Sequence, residues 1–241
     1  MVRAFPFYIT LEREDPWVRG IVEQALGFFE SVGDLEIPRK HVTDNSLNKY
    51  VKQSFNPKRG QISFVSLLSL FREEPRQKEE RHYKLAILET DLYFSNDNYF
   101  LFGCTESKIS KKGEMRPDVF RTSDGTETPL VRGVVISLNR LKGYYDEYWE
   151  RAFYAILLHE LGHFYGLSCQ ENPHYIEYDD PSVSPLEWGH CDNPKCMMEQ
   201  VNVPKRPDLL AKTLYLEKTN PDWFCQYDLR ALRRNLRALY R

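Results

Sequence analysis

His159-Glu160-Leu161-Gly162-His163, followed at helical distance by Gly166, constrains this chain more than any other stretch. Two imidazoles four residues apart lie on one face of an α-helix, one above the other. That spacing lets one rigid element hold a zinc ion with two side chains. It also sets the carboxylate of Glu160 beside the ion, where it can take a proton from bound water. The string needs a helix around it, and the chain supplies one. It follows apolar Ile156-Leu157-Leu158, and the pattern from Asp146 to Tyr165 is helical, with Ala152, Ile156, His159 and His163 on a related face. Gly166 can adopt the left-handed conformation that ends a helix.

The remaining pattern predicts an α/β chain. Asp15 as cap and Pro16 in the first turn open a helix to about Ser31, with Val18, Val22, Leu26 and Phe29 inward. Leu35 to Val42 reads as a strand, and Ile62 to Phe71 as a helix with Val65, Leu68 and Phe71 on one side. Glu73 to Arg81 is a charged connection. Strands are predicted at Tyr83 to Leu88, Tyr99 to Phe102 and Val134 to Leu138. A polar excursion, Thr105 to Arg132, carries an Asp124-Gly125 turn signal. Asp228 to Tyr240 has Leu229, Leu232, Leu236 and Leu239 at helical spacing, with Arg230, Arg233, Arg234 and Arg237 on a solvated basic face.

Bulk properties narrow the function. With 241 residues and a formal charge of -2, the chain carries no general attraction to nucleic acid or acidic membranes. It lacks a run of about 18 apolar residues and a signal-peptide pattern, so a soluble, cytoplasmic protein is expected. Its five cysteines are odd in number. Cys169, Cys191, Cys196 and Cys225 follow the histidine helix, which suits metal ligands or buried thiols better than a disulfide framework. Cys104 reads as a small buried hydrophobe.

Two ligands leave a catalytic zinc site incomplete, since three protein ligands and a water are usual. At the standard metzincin spacing the third position is Cys169 rather than a histidine. Further on stands Gly189-His190-Cys191-Asp192-Asn193-Pro194-Lys195-Cys196-Met197-Met198. His-Cys, four residues, Cys, one residue, Met resembles the hallmark of the archaemetzincins, where it follows the helix motif directly. Here an insertion of about twenty residues, roughly Cys169 to Gly189, splits the two halves. The resemblance covers most of the chain. Phe55 to Gln61 is similar to the family's Asn-Pro-x-Arg-Gly-Gln segment. Thr90 to Tyr93, Phe100 to Gly103 and Val135 to Leu141 are similar to its central strands.

The resemblance implies a zincin-like fold: a mixed twisted sheet with the active-site helix in residues 1–166, and a smaller, mostly helical part in 167–241. It implies His190 as third ligand of a catalytic zinc, with Cys169 as rival and His174 as a remote choice. It implies a second, structural zinc on Cys191, Cys196 and Cys225. The family's fourth cysteine position holds Asp228, so the fourth ligand is either Asp228 or Cys169. Closed structural sites favour Cys or His, hence Cys169. Met198 would lie beneath the catalytic zinc. The implied activity is hydrolysis of a peptide or protein substrate, with Glu160 as the acid–base residue and Tyr99 to Phe102 as the edge receiving an extended peptide. The insertion's Glu171, Tyr175, Glu177, Tyr178, Asp179, Asp180, Glu187 and Trp188 fit two readings: a lid that attracts a free N-terminal amine, giving an aminopeptidase-like preference, or a tolerated surface excursion. A zinc-bound but weak peptide-binding protein and a hydrolase of small amides remain open. Oligomeric state is not legible in the sequence.

Overall fold

The computed structural model describes residues 6–42, 46–73, 82–93, 100–101, 103–105, 119–121, 127–129, 133–167, 172–176, 190–201 and 208–240. The N-terminal elements are β1 (Phe7–Leu11), α1 (Pro16–Gly33), β2 (Arg39–Val42), α2 (Ser46–Ser54), β3 (Phe55–Asn56), β4 (Gln61–Ser63) and α3 (Phe64–Glu73). Next come β5 (Tyr83–Leu88), β6 (Leu92–Tyr93), β7 (Phe100–Leu101), β8 (Gly103–Thr105), β9 (Val119–Arg121), β10 (Glu127–Pro129) and β11 (Gly133–Ser137). Then follow α4 (Leu138–Tyr145), a 3₁₀ turn (Asp146–Tyr148), α5 (Trp149–Phe164), α6 (Leu209–Thr219) and α7 (Gln226–Tyr240). No helix among the described residues is long and apolar enough to cross a membrane.

The main sheet has the order β2-β1-β5-β11-β8. Its first four strands run parallel, and β8 pairs antiparallel with β11 at the edge. Strand β5 is central and buried at every position, as a strand covered on both faces must be. Alternation sends Tyr83, Leu85 and Ile87 to one face, where Phe7, Ile9, Val134 and Ile136 join residues of α1, α5 and α7. Ala86, Leu88 and Val135 face the other way, onto Leu47, Val51, Leu67 and Phe71 of α2 and α3. The larger core crosses residue 166 without a break, since Phe28 and Phe29 of α1 pack on Phe224 at 5.7 and 6.1 Å between ring centroids.

Local chemistry explains several boundaries. Asp15 accepts from Trp17 N and Val18 N, and Pro16 fills the first turn of α1 as the sequence predicts. The expected helix over Ile62–Phe71 needs correction. Gln61–Ser63 is strand, because Ile62 N reaches Asp91 O at 2.8 Å and β4 pairs with β6. The helix therefore starts at Phe64, and Val65 is 40% exposed while Leu67 and Phe71 are buried. The Asn56–Gln61 turn is held by Gly60 at φ +67°. Gln61 donates to Asp91 at 2.8 Å, and Arg140 grips the same carboxylate at 2.7 and 2.8 Å, which ties the small sheet β3-β4-β6-β7 to α4. The expected strand from Tyr99 to Phe102 is found at Phe100–Leu101, with Tyr99 and Phe102 outside the described residues. Phe100–Leu101 closes the small sheet, whereas Gly103–Thr105 forms the edge of the main one. The Asp124-Gly125 signal lies outside the described residues, between the paired strands β9 and β10.

Candidate functional site

Helix α5 runs against β8, β11, α1 and α6, and its interior residues are almost all buried. His159 and His163 lie one turn apart near its C-terminal end. Past the helix, Gly166 takes φ +82°, reversing the chain where the sequence predicts the stop. His190 returns from the loop that follows. Its Nε2 lies 3.3 Å from His163 Nε2, which lies 3.1 Å from His159 Nε2. Three nitrogens at about 2.0–2.1 Å from one tetrahedral zinc would stand about 3.3 Å apart, so the spacing fits that ion. The rings fan around the common point, with interplanar angles of 80° and 88° for the pairs involving His163 and 25° for His159 with His190.

The lone pair of His159 is oriented as well as placed. His159 Nδ1 lies 2.9 Å from the Met197 carbonyl, which can only accept. The proton therefore sits on Nδ1, and Nε2 presents its lone pair to the cluster. Burial pushes His159 down to about 4. Burial, with the charges of His159 and His190, holds His163 well below its ordinary value. A metal requires its imidazole ligands neutral, and burial favours that form at His159 and His163.

Two glycines make room for this arrangement. A Cβ at Gly103 would stand 2.8 Å from Glu160 Cγ and 3.2 Å from its Oε1, so edge strand β8 lies directly on the buried Glu160. A Cβ at Gly162 would stand 2.6 Å from Met198 Sδ, so the glycine between the two histidines admits the methionine against the helix. Backbone bonds fix that loop: Cys191 N reaches Met198 O at 2.9 Å, and Met197 N reaches Trp223 O at 2.7 Å.

A second group lies next to the first along the chain. Cys191, Cys196, Cys225 and Asp228 are buried, and their donor atoms all lie within 4.8 Å of one another. Cys225 directly precedes α7, and Asp228 lies in its first turn. Hydrogen bonds from Cys191 and Cys196 pull the Cys225 thiol down to about 2. Burial pushes Cys196 well up, and burial with the Cys225 charge raises Asp228 to about 7. Four acid groups this close cannot all ionise in a dry space unless a cation offsets them. Three thiolates and a carboxylate are a sound donor set for tetrahedral zinc.

The sequence thus named most of both groups. His159, His163 and His190 converge, as do Cys191, Cys196, Cys225 and Asp228. Cys169 and most of the insertion lie outside the described residues. His174 stays out of both groups and pairs with Asp192 at 3.0 Å. Sequence reasoning missed Asn172, which touches the sulfur group, and Lys212, which is buried on α6 against Glu199 and the Pro194 carbonyl. Neither lies in a motif. Asp208, which caps α6 at Leu210 N and Ala211 N, is the signal that could have located that helix.

A parallel sheet with an antiparallel edge, a histidine-bearing helix under that edge and a helical C-terminal part make up the α/β zincin-like class of fold. No protein-family model and no curated protein matches the chain. Among solved structures, archaemetzincin from Methanopyrus kandleri aligns over 97% of this chain and 96% of its own, with a TM-score of 0.57 and 20% identity. A zinc-dependent peptidase from Methanocorpusculum labreanum aligns over 94% of this chain and 99% of its own, with a TM-score of 0.51 and 18% identity. The chain has the archaemetzincin fold.

Proposed function

We propose that this chain is a zinc-dependent peptidase. The observation that carries the reading is the convergence of His159, His163 and His190 beside Glu160 under the edge strand β8. One of the solved structures with a similar fold, that from Methanocorpusculum labreanum, is a zinc-dependent peptidase by name, which supports the same reading. His159, His163 and His190 would hold the catalytic zinc. When bound, zinc supplies a Lewis acid for the scissile carbonyl and lowers the pKa of a bound water toward neutrality. Glu160 takes the proton of the attacking water and returns it to the leaving amine. An extended substrate pairs its backbone with β8, the edge of the main sheet next to Glu160, rather than with the Tyr99 to Phe102 edge expected from the sequence.

Cys191, Cys196, Cys225 and Asp228 would hold a second, structural zinc. An aminopeptidase-like preference is the finer form of the reading, and comparing free with N-acetylated peptides tests it. The main test is digestion of a peptide library by wild type and Glu160→Ala, with zinc measured in both. Turnover should fall by about 10²–10⁴-fold while zinc content holds. Equal cleavage by the two proteins would sink the proposal. A chain that keeps its zinc but cuts nothing would be the peptide-binding alternative.

A further inference from the structure

The carboxylate at position 228 raises a problem that a thiol would not. A thiolate offers a metal one atom, but a carboxylate brings two oxygens, and both need partners when buried. Asp228 is 1% exposed. Its Oδ2 faces the sulfurs, 2.9 Å from Cys196 Sγ. Its Oδ1 is met by Asn172, whose Nδ2 donates to it at 2.9 Å. The same nitrogen lies 3.5 Å from Cys191 Sγ and 3.7 Å from Cys225 Sγ. The amide cannot be turned round, because its oxygen accepts from His174 N at 2.9 Å. Asn172 is itself buried.

We propose that Asn172 is the positioning residue that makes Asp228 usable as fourth ligand of the sulfur site. Its amide occupies Oδ1, leaves Oδ2 as the single oxygen turned to the sulfurs, and offers N–H to two of them. The role belongs to this chain's carboxylate, since a cysteine at 228 would have no spare oxygen to satisfy. This rests on the sulfur site of the reading above binding a metal, and not on peptide cleavage.

The test is a cycle of four full-length proteins: wild type, Asn172→Ala, Asp228→Cys and the double variant. Cobalt(II) is titrated in competition with a chelator, and the thiolate-to-cobalt absorption reports the sulfur site alone. Asn172→Ala should weaken cobalt binding by about 10–100-fold when residue 228 is Asp, the usual loss for a partner that orients a ligand. It should change little when residue 228 is Cys. Far-UV circular dichroism accompanies each titration. An Asn172→Ala protein that folds only with Cys at 228 supports the proposal. Equal weakening in both backgrounds, unfolding in both, or no thiolate band from wild type overturns it. Cleavage is not read, so a protein that passes this test and cuts no peptide fails only the peptidase reading.

Discussion

Gly103 shows how a residue without a side chain governs one that has chemistry to do. An alanine there would place its Cβ 2.8 Å from Glu160 Cγ, inside any normal contact distance. The atoms met are Glu160's own side chain and not backbone, so the clash resolves by moving the carboxylate. A displacement near 1 Å in a reacting group costs about 10²-fold in rate. Gly103→Ala should therefore lower kcat by about that factor while zinc content, read by elemental analysis, stays at the wild-type level. A normal rate would mean that β8 yields instead of Glu160. The imidazoles, the thiols and Glu160 were legible because metal chemistry admits few residue types at few spacings. Gly103, Asn172 and Lys212 were not, because their roles arise from contacts far apart in sequence.

Between elements, the loop carrying His190 to Glu199 is pinned from below by α6. Lys212 is 2% exposed, donates to the Pro194 carbonyl at 2.6 Å and forms an ion pair with the buried Glu199. Removing one partner of a buried pair strands the other charge, which costs about 3–5 kcal/mol. Lys212→Met should lose that much in urea unfolding, and Lys212→Met with Glu199→Leu should recover most of it. If the single and double variants are equally unstable, the pair is not what pins the loop. Helix α1 was legible because its cap, its proline and its apolar stripe agree. The start of α3 was not, because β6 draws Gln61–Ser63 into a strand. The edge strand β8 was not legible for a similar reason: its three residues are set apart from the aromatic strand before them only by pairing with β11, while Phe100–Leu101 pairs with β6.

Taken whole, the molecule fastens its C-terminal third through polar centres as well as through core. The segments 172–176 and 190–192 exchange backbone bonds, Ile176 N to His190 O at 2.8 Å and Asp192 N to His174 O at 2.7 Å. A ligand present at 1,000 times its dissociation constant adds about 4 kcal/mol to a fold it alone recognises. For a chain of this size each kcal/mol shifts Tm by roughly 2–4 °C. Stripping metal with a strong chelator should thus lower Tm by roughly 10 °C, and re-adding zinc should restore it. A melting curve indifferent to chelation would mean that neither cluster carries an ion in the folded protein. The architecture was legible through the resemblance to archaemetzincins, and the apolar run at β5 announced a strand, though not its central place in the sheet. The coverage of the second sheet face by α2 and α3 was not, since short helices leave weak periodicity.

His190 and Cys191 are neighbours in the chain, yet one joins the imidazoles and the other the sulfurs. That peptide link is a party wall between two compartments. Lengthening the chain before it or after it leaves each donor on its own side. A residue inserted within it would shift one of the two donors out of its compartment. The dipeptide is therefore a place in this loop where a change of chain length costs one of the two donor sets a member.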